Sequence, residues 1–196
     1  MAITNGYCSL ADIKGYLNIT STNTADDTVL ENLVTSASRF IDSHTRRTFY
    51  ARTETRYYSL PEFDTLWIDD DDLLTITTLT NGDGTTIAST AYTLTPANST
   101  PKYAIKLKTS SGIYWQPAST GEITDIIGIA GTWGYSSTTP ADIQQACLEI
   151  VSNEYRKRNG QNESSSATIT AAGVVLSPVG IPSSAREILN SYRRLI

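Results

Sequence analysis

The sequence predicts an α+β fold in which an antiparallel β-module is inserted into a small helical bundle. Near the start of the chain and again after residue 140, apolar residues recur at i, i+3, i+4 and i+7. This spacing is typical of a helix with one buried face. Between these segments, short stretches rich in Thr, Tyr and Ile are bounded by Asn, Gly, Asp and Pro, as in strands joined by turns. The bundle should contain two long helices plus short N- and C-terminal helices.

These patterns divide the chain into four predicted segments. Residues 1–52 should form the N-terminal helices of the bundle, and residues 53–130 the inserted β-module. Residues 131–160 should contain the third bundle helix. Residues 161–196 should be a flexible loop followed by a C-terminal docking helix, because charge is low and small residues are frequent before the last helical pattern.

The first two helices are predicted from their start signals. Ser9 and Asp12 form a capping-box pattern, which predicts a short helix over residues 10–17. Thr24 and Asp27 repeat the pattern and predict the start of a longer helix, which should end near residue 45 or 48. Its buried face should carry Val29, Leu30, Leu33, Val34, Ala37, Phe40 and Ile41.

The β-module is predicted from short segments of strand-like composition. The turn sequence Asn81-Gly82-Asp83-Gly84 predicts a hairpin, since both dipeptides tolerate positive φ. A further strand containing Ile127, Ile129 and Trp133 should run into Gly131 and Gly134. The remaining strands are expected at residues 55–60, 66–68, 74–79, 86–94 and 103–108.

The third and fourth helices are predicted in the same way. Thr139 stands where an N-cap belongs, with Pro140 at the first helical position and Asp142 three residues past the cap. Ser184 and Glu187 form another capping-box pattern before the terminal helix. The third helix should bury Ile143, Ala146, Cys147, Ile150, Val151 and Tyr155, and end on Arg156, Lys157, Arg158 and Gly160.

Composition excludes several functional classes. A net charge of −5 argues against general affinity for nucleic acid, because phosphate binding depends on Lys and Arg. The N-terminus lacks the pattern of a signal peptide, and no apolar run is long enough for a transmembrane helix. We therefore expect a soluble protein made in a cytoplasm. Cys8 and Cys147 do not form a metal-binding pattern, and Cys147 is expected to be a buried apolar residue.

No catalytic or cofactor motif is recognised in the sequence. His44 is the only histidine, which leaves a catalytic triad or a histidine metal site without partners. The sequence also contains an acidic run, to which three interpretations apply: a solvated turn, a Ca²⁺ site without EF-hand spacing, or a pore-facing surface that repels phosphate. This run consists of Asp69, Asp70, Asp71 and Asp72. We predict no cofactor, no metal and no enzymatic activity.

The aromatic residues and the terminal helix point to contacts with other chains. Six aromatic residues lack the Lys and Arg residues that would surround a site for nucleic acid: Tyr57, Tyr58, Trp67, Tyr114, Trp115 and Trp133. Core or subunit-interface packing is therefore favoured for them over stacking on bases or sugars. The terminal helix has an apolar side that must either fold back or dock on another chain. That side carries Ile188, Leu189, Tyr192, Leu195 and Ile196, with Arg186, Arg193 and Arg194 around it.

Two blocks of this sequence resemble the head–tail connector (adaptor) family of tailed bacteriophages and gene-transfer particles. The first covers residues 7–49, from YCSLADIKGYLNI to a Thr-Arg-Arg-x-Phe ending. The second covers residues 126–160, where a Gly/Trp/Gly corner and a Pro precede a helix ending in Tyr-x-x-Arg. Together they span about two-fifths of the chain.

The resemblance implies a virion structural protein rather than an enzyme. Members of this family form a ring, usually of twelve copies, below the portal protein, where they extend the DNA channel and receive the stopper or tail. DNA would pass through without sequence-specific binding, and assembly would take place in the host cytoplasm. The family's C-terminal grip on the portal would fall to residues 184–196, in particular Arg186, Ile188, Leu189, Tyr192, Arg193, Arg194, Leu195 and Ile196.

One alternative from another functional class stays open. A β-rich virion module that recognises a carbohydrate or a receptor would use Tyr114, Trp115 and Trp133. An exposed cluster of these rings would favour this interpretation, and their burial would count against it.

Overall fold

Two units make up the protein in its computed structural model, which describes residues 3–68, 71–159, 168–169, 175–176 and 180–194. The helical unit comprises the chain up to residue 46 and again from residue 139. The β unit comprises residues 47–138. Helices together with antiparallel sheets confirm the predicted α+β class.

The first helix, α1 (Leu10–Tyr16), begins at the predicted capping box. The backbone N–H of Asp12 donates to the Ser9 hydroxyl at 3.1 Å, and the backbone N–H of Ser9 donates to the Asp12 carboxylate at 2.8 Å. Hydrogen bonds from the Ser9 side chain and backbone lower the pKa of Asp12. The carboxylate therefore stays ionised where it satisfies the first free N–H of the helix.

The second helix, α2 (Asp27–Thr45), begins later than predicted. Asp26 occupies the cap position, so the prediction of Thr24 as the cap is wrong. The carboxylate of Asp27 is engaged elsewhere, because it accepts a hydrogen bond from the buried ammonium of Lys14 at 2.7 Å. The end of the helix at Thr45 agrees with the prediction. Phe40, expected on the buried face, is 37% exposed.

The third and fourth helices also begin at prolines instead of the predicted caps. Pro140 occupies the cap position of α3 (Ala141–Arg158) in an extended conformation, so the helix starts one residue later than the Thr139 cap implied. Pro182 caps α4 (Ser183–Tyr192). The predicted Ser184–Glu187 capping box is wrong, since the Ser184 hydroxyl donates to Glu149 on α3.

The residues between α3 and α4, predicted as a flexible loop, include a short antiparallel pair of strands. These are β8 (Thr168–Ile169) and β9 (Val175–Leu176). Gly160, the predicted helix stop, and residues 161–167, 170–174 and 177–179 lie outside the described residues.

The helical unit is held together by the faces that the periodicity predicted. On α3, Ile143, Cys147 and Val151 are fully buried. The other buried apolar residues of this unit come from the N-terminal segment and from α1, α2, α3 and α4: Tyr7, Cys8, Ile13, Leu30, Val34, Ala37, Ile41, Ala146, Ile150, Tyr155, Ala185 and Leu189.

Two antiparallel sheets form the β unit. The first has the strand order β1-β7-β3-β4, and the second β2-β6-β5. The strands are β1 (Arg52–Tyr58), β2 (Thr65–Trp67), β3 (Leu73–Thr80), β4 (Thr86–Ile87), β5 (Tyr92–Thr95), β6 (Ala104–Leu107) and β7 (Ile127–Trp133).

Most of the predicted strands are present, with one correction. The segment 86–94 is not one strand, because a 3₁₀ turn at Ser89–Ala91 separates β4 from β5. β4 pairs with β3 in the first sheet, whereas β5 pairs with β6 in the second. The hairpin at Asn81 is confirmed: its N–H donates to Thr85 O at 2.8 Å, and Gly84 has φ of 85°.

Strand β7 occupies the centre of the first sheet. It pairs along its length with β1 and, across two register irregularities, with β3. Trp133 at its end is fully buried, and its ring stacks on Tyr58 with centroids 6.2 Å apart. The Trp133 indole N–H donates to Glu54 O at 3.0 Å, and the Arg56 guanidinium lies 4.6 Å from the ring centroid. The core of the β unit forms around this residue.

Candidate assembly surfaces

The terminal helix folds back onto its own unit. Leu189 and Ala185 are fully buried, and the His44 ring of α2 donates a hydrogen bond from Nε2 to Asn190 Oδ1 at 3.1 Å. The Tyr192 hydroxyl donates to Asp142 at 2.7 Å. Of the two arrangements that the sequence left open, the described chain shows the folded-back one, with Leu189 as the residue that anchors it.

The other residues proposed for portal contact differ in exposure. Arg186 and Arg193 are exposed, while Ile188, Tyr192 and Arg194 are half-buried. The backbone N–H of Arg194 donates to Thr45 O at 3.0 Å, which fixes the chain just past α4 against the end of α2. Leu195 and Ile196 lie outside the described residues. The outward side of α4 is therefore basic at Arg186 and Arg193, with Ile188 partly accessible.

His44 contacts two residues of its own unit, Asn190 and Phe40. Besides its hydrogen bond to Asn190, its ring lies 5.8 Å from that of Phe40, centroid to centroid. The residue positions α4 on α2. Within the described residues, no group of three or more His, Cys, Asp or Glu side chains could hold a metal ion.

The acidic run is partly neutralised within the β unit. Asp72 is 8% exposed, and its carboxylate forms a salt bridge with Arg47 at 2.6 Å. Asp71 pairs with Arg56 and accepts a hydrogen bond from the Tyr58 hydroxyl at 2.8 Å. These two carboxylates are held by cations and a hydroxyl of their own unit, so they do not form an open acidic surface. Asp69 and Asp70 lie outside the described residues.

An exposed group of aromatic side chains covers part of the β unit. Phe63 is 77% exposed, Tyr114 69%, Trp67 55% and Tyr103 48%. The rings of Trp67 and Tyr103 stack with an interplanar angle of 2° and centroids 6.1 Å apart. We call these four residues the aromatic surface.

The aromatic surface is continuous across two open grooves. Phe63 lines both grooves, Tyr114 lines one of them, and Trp67 lines the other. Trp115 lines the groove beside Tyr114 and is held there, half-buried, by its indole N–H, which donates to Asp64 O at 3.1 Å. Large exposed apolar patches on soluble domains commonly mark surfaces that contact a partner.

The sequence predicted this surface only in part. Trp67 and Tyr114 were singled out, but Trp133 belongs to the core, and Tyr103 was not among the aromatic residues named for an interface. Phe63 was missed altogether. The available signal was a single Phe between Glu62 and Asp64, two residues after Pro61. A large apolar residue inside such a polar turn has no neighbouring core position to fill, so its exposure could have been predicted.

None of the helices among the described residues is long and apolar enough to cross a membrane. No curated protein sequence matches the chain.

Solved structures similar to this chain come from gene transfer agent (GTA) particles. A chain in the neck of an empty GTA particle, computed with C6 symmetry, aligns with a TM-score of 0.62 and 15% identity, covering 100% of this chain and 94% of that one. A chain in the virion of a native GTA particle aligns at 0.59 with 18% identity and coverage of 100% and 94%. A chain in the neck of a native GTA particle, computed with C12 symmetry, aligns at 0.56 with 15% identity and coverage of 100% and 93%. At these identities the likeness establishes the fold.

The sequence also matches a family model, that of the head completion protein, over residues 7–195. That match takes in both helical blocks and the whole β unit. The chain therefore belongs to the head completion protein family.

Proposed function

We propose that this protein is a head–tail connector, a structural virion component of the neck that works as a ring of identical copies. The observation that carries the proposal is the family match across residues 7–195. The same fold occurs in the necks of GTA particles solved with sixfold and twelvefold symmetry. In this role the ring joins the head to the stopper or tail, and DNA passes through it. A ring of twelve copies would match the twelvefold symmetry of the C12 neck. The role requires no enzymatic step.

The aromatic surface is suited to the contact between neighbouring copies. Its four side chains expose apolar area that a neighbour would remove from water, and such burial is worth about 25 cal/mol per Å² before ordering costs are subtracted. Tyr and Trp are also the residue types that dominate binding energy at protein interfaces. Because a ring repeats one contact at every copy, a moderate energy per contact is multiplied around the circle.

Changing Phe63 and Tyr114 together to serine should prevent ring assembly while leaving the fold intact. Both side chains are mostly exposed, so their removal should shift the melting temperature by no more than a few degrees. Loss of their apolar area should weaken each contact, and because the ring repeats that contact the assembled population should fall by more than tenfold. Mass photometry of the purified chain with its portal would measure this population.

The matched control is Tyr57→Ser, which removes a side chain of similar exposure, 62%, from the same unit. The control should assemble like the unchanged protein. Rings of normal mass from the Phe63/Tyr114 variant would show that neighbours meet through another surface.

The outward side of α4 is our proposed contact with the portal. Deleting the helix would be a poor test, because Ala185 and Leu189 are buried and the helical unit would be destabilised. Charge reversal of Arg186 and Arg193 to glutamate avoids this problem, since both residues are exposed. The reversed variant should lose portal binding at least tenfold, measured by co-purification at fixed ionic strength.

Arg156→Glu is the control for this change, because it reverses an exposed arginine on α3 of the same unit. It should bind the portal normally. If both variants bind equally well, the portal contact does not involve α4; if both lose binding equally, net charge is the cause.

We further propose that DNA moves through the ring without being held. The β unit carries ten acidic and six basic residues, most of the chain's net charge of −5. A channel wall with this excess would repel phosphate and let the duplex slide. The described part of the acidic run contributes little to such a wall, because Asp71 and Asp72 are paired internally.

The aromatic surface also supports a second candidate function, carbohydrate or receptor binding. Of the three residues first named for it, Tyr114 is exposed, Trp115 is half-buried, and Trp133 is fully buried. Quenching of Trp67 and Trp115 fluorescence by added oligosaccharides, lost in Tyr114→Ser, would support this function for the isolated chain.

A further inference from the structure

Cys8 and Cys147 come together although 139 positions separate them in the sequence. Cys8 lies in the segment before α1, and Cys147 lies in the middle of α3. Their sulfur atoms are 3.5 Å apart, within hydrogen-bonding distance for thiols. Cys8 is 5% exposed and Cys147 is fully buried. Both cysteines are free thiols.

The segment that carries Cys8 is held against α2 by three polar contacts. The backbone N–H of Tyr7 donates to the Ser38 hydroxyl at 3.0 Å, and the Tyr7 phenol donates to Asp42. The Arg39 guanidinium donates to the backbone carbonyl of Asn5 at 2.8 Å. These contacts keep Cys8 beside α3. The two sulfurs are therefore neighbours because the segment before α1 is anchored to the fold.

We propose that Cys8 and Cys147 form a redox-sensitive disulfide site, which closes into an intramolecular bond when the protein meets a small oxidised disulfide. A disulfide needs the sulfurs about 2.05 Å apart. Closing the present gap requires a shift of roughly 1.5 Å, which rotation of the two side chains and a small movement of the segment before α1 would supply. In the bridged protein neither sulfur would lie outside its present environment.

The two thiols differ in how readily they ionise. The hydrogen bond from Cys8 lowers the pKa of the Cys147 thiol, assisted by backbone N–H groups of Tyr7 and Cys8. The same hydrogen bond, together with burial, raises the pKa of the Cys8 thiol. In the closed protein Cys147 is therefore the more readily ionised of the two thiols, and the thiolate is the nucleophile in thiol–disulfide exchange.

The reaction balances with oxidised glutathione as the oxidant. The Cys147 thiolate attacks one glutathione sulfur, the glutathione disulfide bond breaks, and a glutathione thiolate leaves and takes up a proton. Cys8 then loses its proton and attacks the Cys147 sulfur of the mixed disulfide, releasing the second glutathione as a thiol. Two electrons and two protons pass from the protein to glutathione. Since both sulfurs are buried, the first step requires local opening of the segment before α1.

The bond would tie the N-terminal segment covalently to α3 across the whole inserted β unit. Cross-linking residues so far apart in sequence removes many conformations of the unfolded chain. Such a bond would stay open in a reducing cytoplasm, where the protein is made, and close after release into an oxidising medium. This inference concerns the helical unit alone and does not depend on the proposed ring.

The test uses the unchanged protein in two redox states. Samples are held a few degrees below the melting temperature, so that the segment opens, with either oxidised glutathione or dithiothreitol. The expected product is a monomer lighter by two hydrogen atoms, with a peptide linking Cys8 to Cys147, and a melting temperature higher by roughly 5–15 °C than in dithiothreitol.

Cys8→Ala and Cys147→Ala serve as controls and should each give, at most, a single glutathione adduct without the rise in melting temperature. An unchanged protein that remains reduced, that gives only adducts or linked dimers, or that melts at a lower temperature once bridged would overturn the proposal. Because these outcomes are read on the unchanged protein, poor folding of either alanine variant would not obscure them.

Discussion

Replacing Trp133 with alanine should destabilise the protein by about 3–5 kcal/mol, the cost typical of removing a large aromatic ring from a core. Trp133 is fully buried and stacks on Tyr58, and its indole N–H satisfies the carbonyl of Glu54. The alanine variant would leave a cavity and an unsatisfied carbonyl, and it would remove the ring that lies under the Arg56 guanidinium. Urea denaturation followed by tryptophan fluorescence measures the effect. The signal remains in the variant because the other tryptophans, Trp67 and Trp115, also lie in the β unit.

The matched control is Trp67→Ala in the same unit. Trp67 is 55% exposed, so its removal should change the unfolding free energy by less than about 1 kcal/mol. It should instead weaken ring assembly, because Trp67 belongs to the aromatic surface. Equal stability losses in the two variants would contradict the assignment of Trp133 to the core and Trp67 to an interface.

Replacing Gly131 with alanine should destabilise the β unit by about 1–3 kcal/mol or more. A Cβ atom at this position would lie 2.1 Å from Thr75 O on β3, and 3.3 Å from Ile76 Cα. Both neighbours are backbone atoms of the paired strand, so they cannot move aside without opening the β3–β7 ladder. Gly131 has an ordinary strand backbone, and the penalty therefore comes from the close approach of β3.

Gly128 on the same strand is the control for this substitution. A Cβ atom there would lie 3.4 Å from Tyr57 Cε1 and 3.6 Å from Thr80 Cβ, which are ordinary contacts. Gly128→Ala should be neutral or stabilising by up to about 1 kcal/mol, since alanine reduces the freedom of the unfolded chain. Denaturation midpoints that move in the same direction for both variants would be inconsistent with the strand packing described here.

The sequence specified local structure better than strand pairing. The Ser9–Asp12 box and the Asn81 turn were predictable because each is completed by residues within a few positions. The pairing of β1 with β7 joins residues such as Arg52 and Trp133, far apart in the chain, and no local pattern encodes that choice. Three helix starts were misplaced by one or two residues. For α2 and α4 the reason is that Asp27 and Ser184 bond to distant partners instead of their own helices.

The candidate surfaces were harder to predict than the fold. The exposure of an aromatic side chain depends on how two sheets are arranged, so Trp67 and Trp133 could not be distinguished by residue type. The folded-back position of α4 is likewise set by long-range contacts such as His44 with Asn190. Family resemblance predicted the class of protein because it rests on the helical segments, whose sequence patterns are local.

Cryo-electron microscopy of the neck of particles that contain this chain would test the proposed role most directly. Symmetry-free reconstruction should place identical copies of the chain, twelve if the C12 neck is the guide, in a closed ring around the DNA channel between portal and tail. The aromatic surface of each copy should be buried against the next. A neck without this chain, or a single copy bound away from the particle axis, would contradict the account.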